Sequence, residues 1–204
     1  MKKILFLILA VAVVIGCNPS PQTSGELVFR GESYHKDGNI EKAIKTFNKA
    51  IKINPNNLDA YSSRGTAYFF DKQYQKAVND FAVVAKYQPT NYQAFNALAS
   101  AMAGLGDYDN ALKIVNRSIY INPNNAEAFF TRGGINISRR EYKQAIGDYS
   151  VVIKMRPFAD AYISRAFAYK FLEMEKEYQQ DMAMAKKPGM PQHINYFVAM
   201  DLAK

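Results

Sequence analysis

Ile53-Asn-Pro-Asn-Asn57 (INPNN) returns unchanged at Ile121–Asn125, and a relative, YQPTN, stands between them at Tyr87–Asn91. The prolines of these phrases, Pro55, Pro89 and Pro123, are 34 residues apart, and Pro157 extends the series by the same interval. A fixed period of this length marks a stack of helix–turn–helix units rather than a compact enzyme domain. Proline cannot continue a helix, and the asparagine after it suits the cap of the next one. Each phrase therefore reads as the junction between one unit and its successor.

Aligning the chain on the prolines fills further columns. The fourth position of each unit is long and apolar or aromatic: Leu27, Tyr61, Phe95, Phe129 and Tyr162. The eighth is small: Gly31, Gly65, Ala99, Gly133 and Ala166. The eleventh reads Tyr34, Tyr68, Met102, Asn136 and Tyr169, and the twentieth Ala43, Ala77, Ala111, Ala145 and Tyr178. The twenty-fourth reads Phe47, Phe81, Val115, Tyr149 and Met182. Two antiparallel helices approach closely where facing residues are small, so the eighth position is expected to face the twentieth. Gly38 and Gly106 fall between the two helices of a unit, where a left-handed residue is often needed.

Taken together these columns closely resemble the tetratricopeptide repeat (TPR). The resemblance covers residues 24 to about 187 and implies an all-α solenoid, a right-handed superhelix of about five repeats: 24–57, 58–91, 92–125, 126–158 and 159–187. The fourth linker is one residue short, Phe158-Ala159 following Pro157, and Tyr178 breaks the small twentieth column, as expected of a terminal unit. Residues 188–204, with Ile194, Phe197, Val198 and Leu202, read as a C-terminal capping helix.

Residues 1–16 have a different character. Lys2 and Lys3 precede an apolar run, Ile4–Ile15, too short for a membrane span of ~20 residues and suited to a signal-peptide core. The run ends Gly16-Cys17, and Cys17 is the only cysteine. The junction resembles a bacterial lipobox, which implies cleavage before Cys17 and attachment of lipid to its thiol. Residues 17–23 form a polar tether rich in Pro and Ser. Asn18, in place of the aspartate that retains enterobacterial lipoproteins in the inner membrane, points to the outer membrane facing the periplasm.

The formal charge is +8, falling to +6 without Lys2 and Lys3. Lys42, Lys45, Lys49, Lys52, Arg139, Arg140 and Lys143 are either a solvated face or a surface for anionic lipid or an acidic partner. Nucleic acid is not an expected partner of an exported lipoprotein. With one cysteine, two distant histidines, His35 and His193, and no phosphate-binding glycine loop, no active site, metal site or cofactor is expected.

In TPR proteins the concave wall is lined by the first helix of each repeat. The resemblance assigns Phe69, Phe70, Asn96, Ser100, Phe130, Ile137, Ile163, Phe167 and Phe171 to a protein-binding groove, where packing between repeats competes with ligand contact for each residue. Arg64, Arg132 and Arg165 at the seventh position accompany Asp80, Asp148 and Asp181 at the twenty-third, whereas Leu98 and Ile114 replace both in repeat 3. Their joint loss points to direct pairs between the two helices of a repeat. Small TPR lipoproteins of the NlpI type dock peptidoglycan hydrolases and proteases, and others assist assembly of type IV pilus secretins. The resemblance implies a membrane-anchored adaptor for proteins or peptides of the cell envelope, with a periplasmic chaperone as the alternative.

Overall fold

The computed structural model describes residues 22–192, which form ten α-helices and no strand. In chain order they are α1 (Ser24–Lys36), α2 (Ile40–Ile53), α3 (Leu58–Phe70), α4 (Tyr74–Tyr87) and α5 (Tyr92–Gly104). Then follow α6 (Tyr108–Ile121), α7 (Ala126–Ser138), α8 (Tyr142–Met155), α9 (Ala159–Phe171) and α10 (Glu175–Ala185). Helices pack in sequential antiparallel pairs, and each odd-numbered helix also touches the next odd-numbered one, so every contact is local along the chain. The architecture is an all-α solenoid. Cys17 with its tether, and the capping helix expected from the C-terminal sequence, lie outside the described residues except for 22–23 and 188–192.

The junction phrases work through two neighbouring residues. Asn54, Gln88, Asn122 and Arg156, each just before a proline, leave helical geometry with φ between −126 and −154°. The proline ring disfavours helical backbone at the preceding residue, so the helix stops there. Asn57, Asn91 and Asn125 then cap α3, α5 and α7, their side-chain oxygens accepting from the backbone N–H groups of Ala60, Ala94 and Glu127. Thr23 and Glu26 close a reciprocal capping box on α1. Phe158 has no capping side chain, and the backbone N–H of Ala159 instead donates to the Pro191 carbonyl at 2.9 Å.

Between the two helices of each repeat one residue is left-handed: Gly38, Lys72, Gly106, Arg140 and Glu173, with φ from 56 to 82°. The N–H of the residue after it reaches back to a carbonyl of the helix's last turn, for example Asn39 N–H to Tyr34 O and Gln73 N–H to Tyr68 O. This closes the helix end in the Schellman manner.

The close contact inside a repeat differs from the sequence expectation. The small eighth residue meets the aromatic twenty-fourth, not the alanine at the twentieth. A Cβ on Gly31, Gly65 or Gly133 would stand 2.4, 2.9 or 2.8 Å from the rings of Phe47, Phe81 and Tyr149. Where the partner is smaller, as Val115 or Met182, the eighth residue is alanine. The alanine at the twentieth position serves the contact between repeats. Ala43 shares a core with Ala60 and Ala67, Ala77 with Ala94 and Ala101, and Ala145 with Ala161 and Ala168. Both partner residues sit on one helical face, seven positions apart, of the next odd-numbered helix.

Candidate functional site

The odd-numbered helices form one wall of the solenoid, and the nine residues assigned to a groove divide between its interior and its surface. Asn96, Ser100, Phe130 and Ile137 are all less than a tenth exposed, so they are packing positions rather than groove positions. The Phe130 ring lies 5.3 Å from that of Tyr149 and 5.4 Å from that of Phe158, the last residue before α9. Ser100 Oγ donates to the Asn96 carbonyl within its own helix. The cause is the alanine contact between repeats: it draws the next odd-numbered helix close enough to cover these side chains.

The other five reach the surface on α3 and α9. Phe69 and Phe70 are half-buried. Phe70 lies 5.2 Å from His35, and Phe69 lies edge-on to Tyr74 at 5.4 Å. Burial holds the His35 imidazole below its ordinary pKa, against a weaker opposing pull from Glu32. At the far end Phe171 stacks on Tyr142 at 4.8 Å and is 53% exposed, while Ile163 is 40% exposed. Phe167 meets Phe171 at 4.8 Å. Ile163, Phe167, Lys170, Phe171, Tyr178 and Met182 enclose a cavity of about 440 Å³ between α9 and α10. An inner repeat seats the following helix at this place, against an alanine. Repeat 5 has Tyr178 there and no described helix upon it.

The charged columns form three clusters with a common plan. Arg64 donates through Nε and Nη2 to the two carboxylate oxygens of Asp80 at 2.8 and 2.7 Å, and Arg165 does the same to Asp181. Arg132 grips Asp148, which also accepts from Asn136 Nδ2 at 2.9 Å. A third member was not singled out in the sequence: the remaining guanidinium nitrogen reaches the preceding repeat, at Asn48, Asn116 or Ser150. All three stand at the twenty-fifth position, and repeat 2 offers Ala82 there to the apolar Leu98 and Ile114. Aromatics flank each arginine, Tyr61 and Tyr68 about Arg64, Tyr162 and Tyr169 about Arg165. Arg30 holds the same column in repeat 1, but with Thr46 opposite it makes no such pair and turns to the side-chain amide of Gln22.

The aspartates are buried, and donating to the carboxylates of Asp80 and Asp181 raises the pKa of Arg64 and Arg165. Asp148 is itself held above the usual carboxylate range by desolvation, which outweighs the stabilisation from Arg132 and Asn136. These are bonds between helices and between repeats. Among the described residues no group of three His, Cys, Asp or Glu side chains is placed to hold a metal ion. None of the described helices is long and apolar enough to cross a membrane.

A model described as "TPR repeat" matches residues 31–70, and one described as "Tetratricopeptide repeat" matches residues 68–129. Residues 31–129 are therefore tetratricopeptide repeats. The chain's TPR solenoid is similar to the crystal structure of MamA, with TM-score 0.66 and 25% identity over 76% of this chain and 91% of that one. It also resembles a thermophilic TPR protein of Thermus thermophilus, TM-score 0.70, at 17% identity over 80% and 90% of the two chains. A third similar TPR structure is YrrB, described as having an unusual peptide-binding site, with TM-score 0.60 and 20% identity over 78% and 83%. In sequence, 56 residues are 36% identical to DnaJ protein P58IPK homolog B of Oryza sativa subsp. japonica. That stretch is 28% of this TPR chain and 12% of the rice protein. TPR arrays are scaffolds for binding proteins or peptides.

Proposed function

We propose that this chain is a lipid-anchored adaptor of the bacterial cell envelope, held by Cys17 and binding segments of partner proteins along its odd-numbered helix wall. The observation that carries the binding half is the cavity at Phe167, Phe171, Tyr178 and Met182, continuous with the exposed Phe171–Tyr142 stack. An apolar concavity with one lysine at its rim, Lys170, suits a peptide that brings two or three apolar anchors and an acidic group. YrrB, a solenoid of like fold, is described as a TPR protein with a peptide-binding site. The anchoring half rests on the Gly16-Cys17 junction and the absence of any other cysteine in the sequence. Asn18 favours the outer membrane, facing the periplasm. The partners in this reading are secreted or periplasmic proteins, including assembly factors of envelope machines.

Two measurements test the halves separately. Metabolic labelling with a fatty acid should mark the wild-type chain and not Cys17→Ser; label retained by the variant would refute the anchor. A photo-crosslinking residue at Phe171 should capture a partner in cells, and Phe167→Glu should remove that capture without loss of helicity. Equal capture by the folded Phe167→Glu variant would move the binding surface elsewhere. A stoichiometric partner identifies a scaffold, and many weak peptide ligands identify the chaperone-like reading.

A further inference from the structure

Helices α2, α4, α6, α8 and α10 all end on one edge of the solenoid, where the proline junctions lie. At that edge base and apolar group alternate: Lys52-Ile53, Lys86-Tyr87 and Lys154-Met155, with Arg117 beside Tyr120 on α6. Ile53, Tyr87, Tyr120 and Met155 are 54, 65, 77 and 41% exposed, one from each of the four helices. Lys86 and Arg117 each stand 5.4 Å over the tyrosine ring beside them. Arg156, Lys186 and Lys187 add charge to the same edge. Its acids, Glu26, Asp59, Glu127 and Asp160, lie in first turns of odd-numbered helices, where they offset the helix dipole, and Glu26 is held in the capping box.

The opposite edge is of mixed sign. Its turns carry Lys36 with Asp37, Lys72 with Asp71, and Arg140 with Glu141, and its exposed Leu105 and Met174 stand among Asp107, Asp109, Glu173 and Glu175. The chain also enters the solenoid from the basic edge. Ser24 Oγ donates to the Ala50 carbonyl at 2.9 Å and accepts from Asn57 Nδ2, which pins the start of α1 to the end of α2. Cys17 lies six residues before Thr23. Even fully extended, such a segment spans no more than about 20 Å.

We propose that this edge lies on an anionic lipid bilayer, with its lysines among the phosphate headgroups. Ile53, Tyr87, Tyr120 and Met155 sit at the headgroup–acyl boundary, where rings and aliphatic chains flanked by cations are favoured. Clustered lysines near an anionic surface each add several-fold to the partition constant. The helices then stand roughly along the membrane normal, and the wall with its apolar cavity opens sideways rather than toward the lipid. The geometry rests on the reading of Cys17 as the anchor; the surface chemistry of the edge does not.

The test uses the full-length chain purified from cells, with acylation of Cys17 read first by mass, so that failure of the anchor is seen on its own. The chain is mixed with vesicles of phosphatidylcholine alone or with phosphatidylglycerol, and lysine acetylation is mapped. Lys52, Lys86 and Lys154 should be protected at least about five-fold only where phosphatidylglycerol is present, and Lys36, Lys72 and Lys143 should not. In chain that carries no lipid on Cys17, the substitutions Lys52→Gln, Lys86→Gln and Lys154→Gln together should lower the share of protein sedimenting with anionic vesicles about ten-fold or more relative to Lys36→Gln, Lys72→Gln and Lys143→Gln, which change net charge equally; acylated chain sediments through its lipid, and there the acetylation map is the readout. Equal labelling of the two edges, equal effects of the two triple variants, or protection on phosphatidylcholine alone would overturn the proposal. Protection that appears only when an acidic soluble protein is added would do so in favour of a protein partner.

Discussion

Repeats 3 and 4 fill the same slots with opposite chemistry. In repeat 4 the seventh, twenty-third and preceding twenty-fifth positions hold Arg132, Asp148 and Asn116, joined by hydrogen bonds across three helices. In repeat 3 they hold Leu98, Ile114 and Ala82. Both repeats keep the same helix lengths, the same left-handed turn and the same asparagine cap. The backbone plan is therefore set by caps, turns and small residues, and the ionic cluster is one of two interchangeable fillings. A buried ion pair need not add net stability over apolar groups of like volume, yet breaking it leaves a charge without its counter-ion.

Each prediction presses on that contrast. The largest effect is expected from Arg132→Ala, which leaves Asp148 buried with only Asn136 for a partner and should cost about 3 kcal/mol in a urea melt. Moving the repeat 3 filling into repeat 4, with Asn116→Ala, Arg132→Leu, Asn136→Met and Asp148→Ile together, should recover most of that loss, to within about 1 kcal/mol of wild type. A graft as damaging as the single change would show that the two fillings are not equivalent. Next in size is Gly133→Ala. Its Cβ would press on the fully buried Tyr149 ring, at a cost of about 1–3 kcal/mol, and that cost should shrink in a Tyr149→Val background, which copies the Ala99–Val115 pair of repeat 3. A double variant no better than the sum of its parts would refute this size matching.

Smaller effects come from the turn and from His35. Gly106 of repeat 3 occupies the left-handed position at no steric cost, whereas Arg140 of repeat 4 and Lys72 of repeat 2 do so against their side chains. Lys72→Gly should raise stability by about 0.5–1 kcal/mol, read from the melting midpoint. For His35 the folded pKa lies below the unfolded one, so the unfolded chain binds the proton more readily. Its stabilising contribution is present in full above the unfolded pKa of about 6.5 and is lost as pH falls from there through the lower folded pKa. The drop in melting temperature between about pH 7 and pH 5 should be slightly smaller in His35→Gln, and an identical drop would show that the ring is solvated.

Helix pairing was legible in the sequence because its punctuation is local: Pro55 acts on Asn54, and Asn57 caps the turn that follows it. The arginine–aspartate pairs were legible because both members vanish together at Leu98 and Ile114. Two features were harder to see. The reciprocal sizes of Gly133 with Tyr149 and Ala99 with Val115 stand in the columns, but the eye pairs small with small. The alanines at Ala60 and Ala67, Ala94 and Ala101, seven apart, look like ordinary helix formers until a neighbouring helix is seen against them. The groove assignment ran into the same difficulty. Asn96, Phe130 and Ile163 occupy equivalent positions, and only the helix that follows decides that the first two are inside.

The hydrogen bond from Ala159 to Pro191 has a temporal meaning. The first turns of α1, α3, α5 and α7 are capped by residues that adjoin them, so an array emerging N-terminus first can lock each unit as it appears, with contacts short enough for rapid folding. The first turn of α9 instead waits for a carbonyl 32 residues further along the chain. Repeat 5, which also bears the open apolar cavity, is thus the last unit to mature. A chain cut short before Pro191 would present four finished repeats and a frayed fifth.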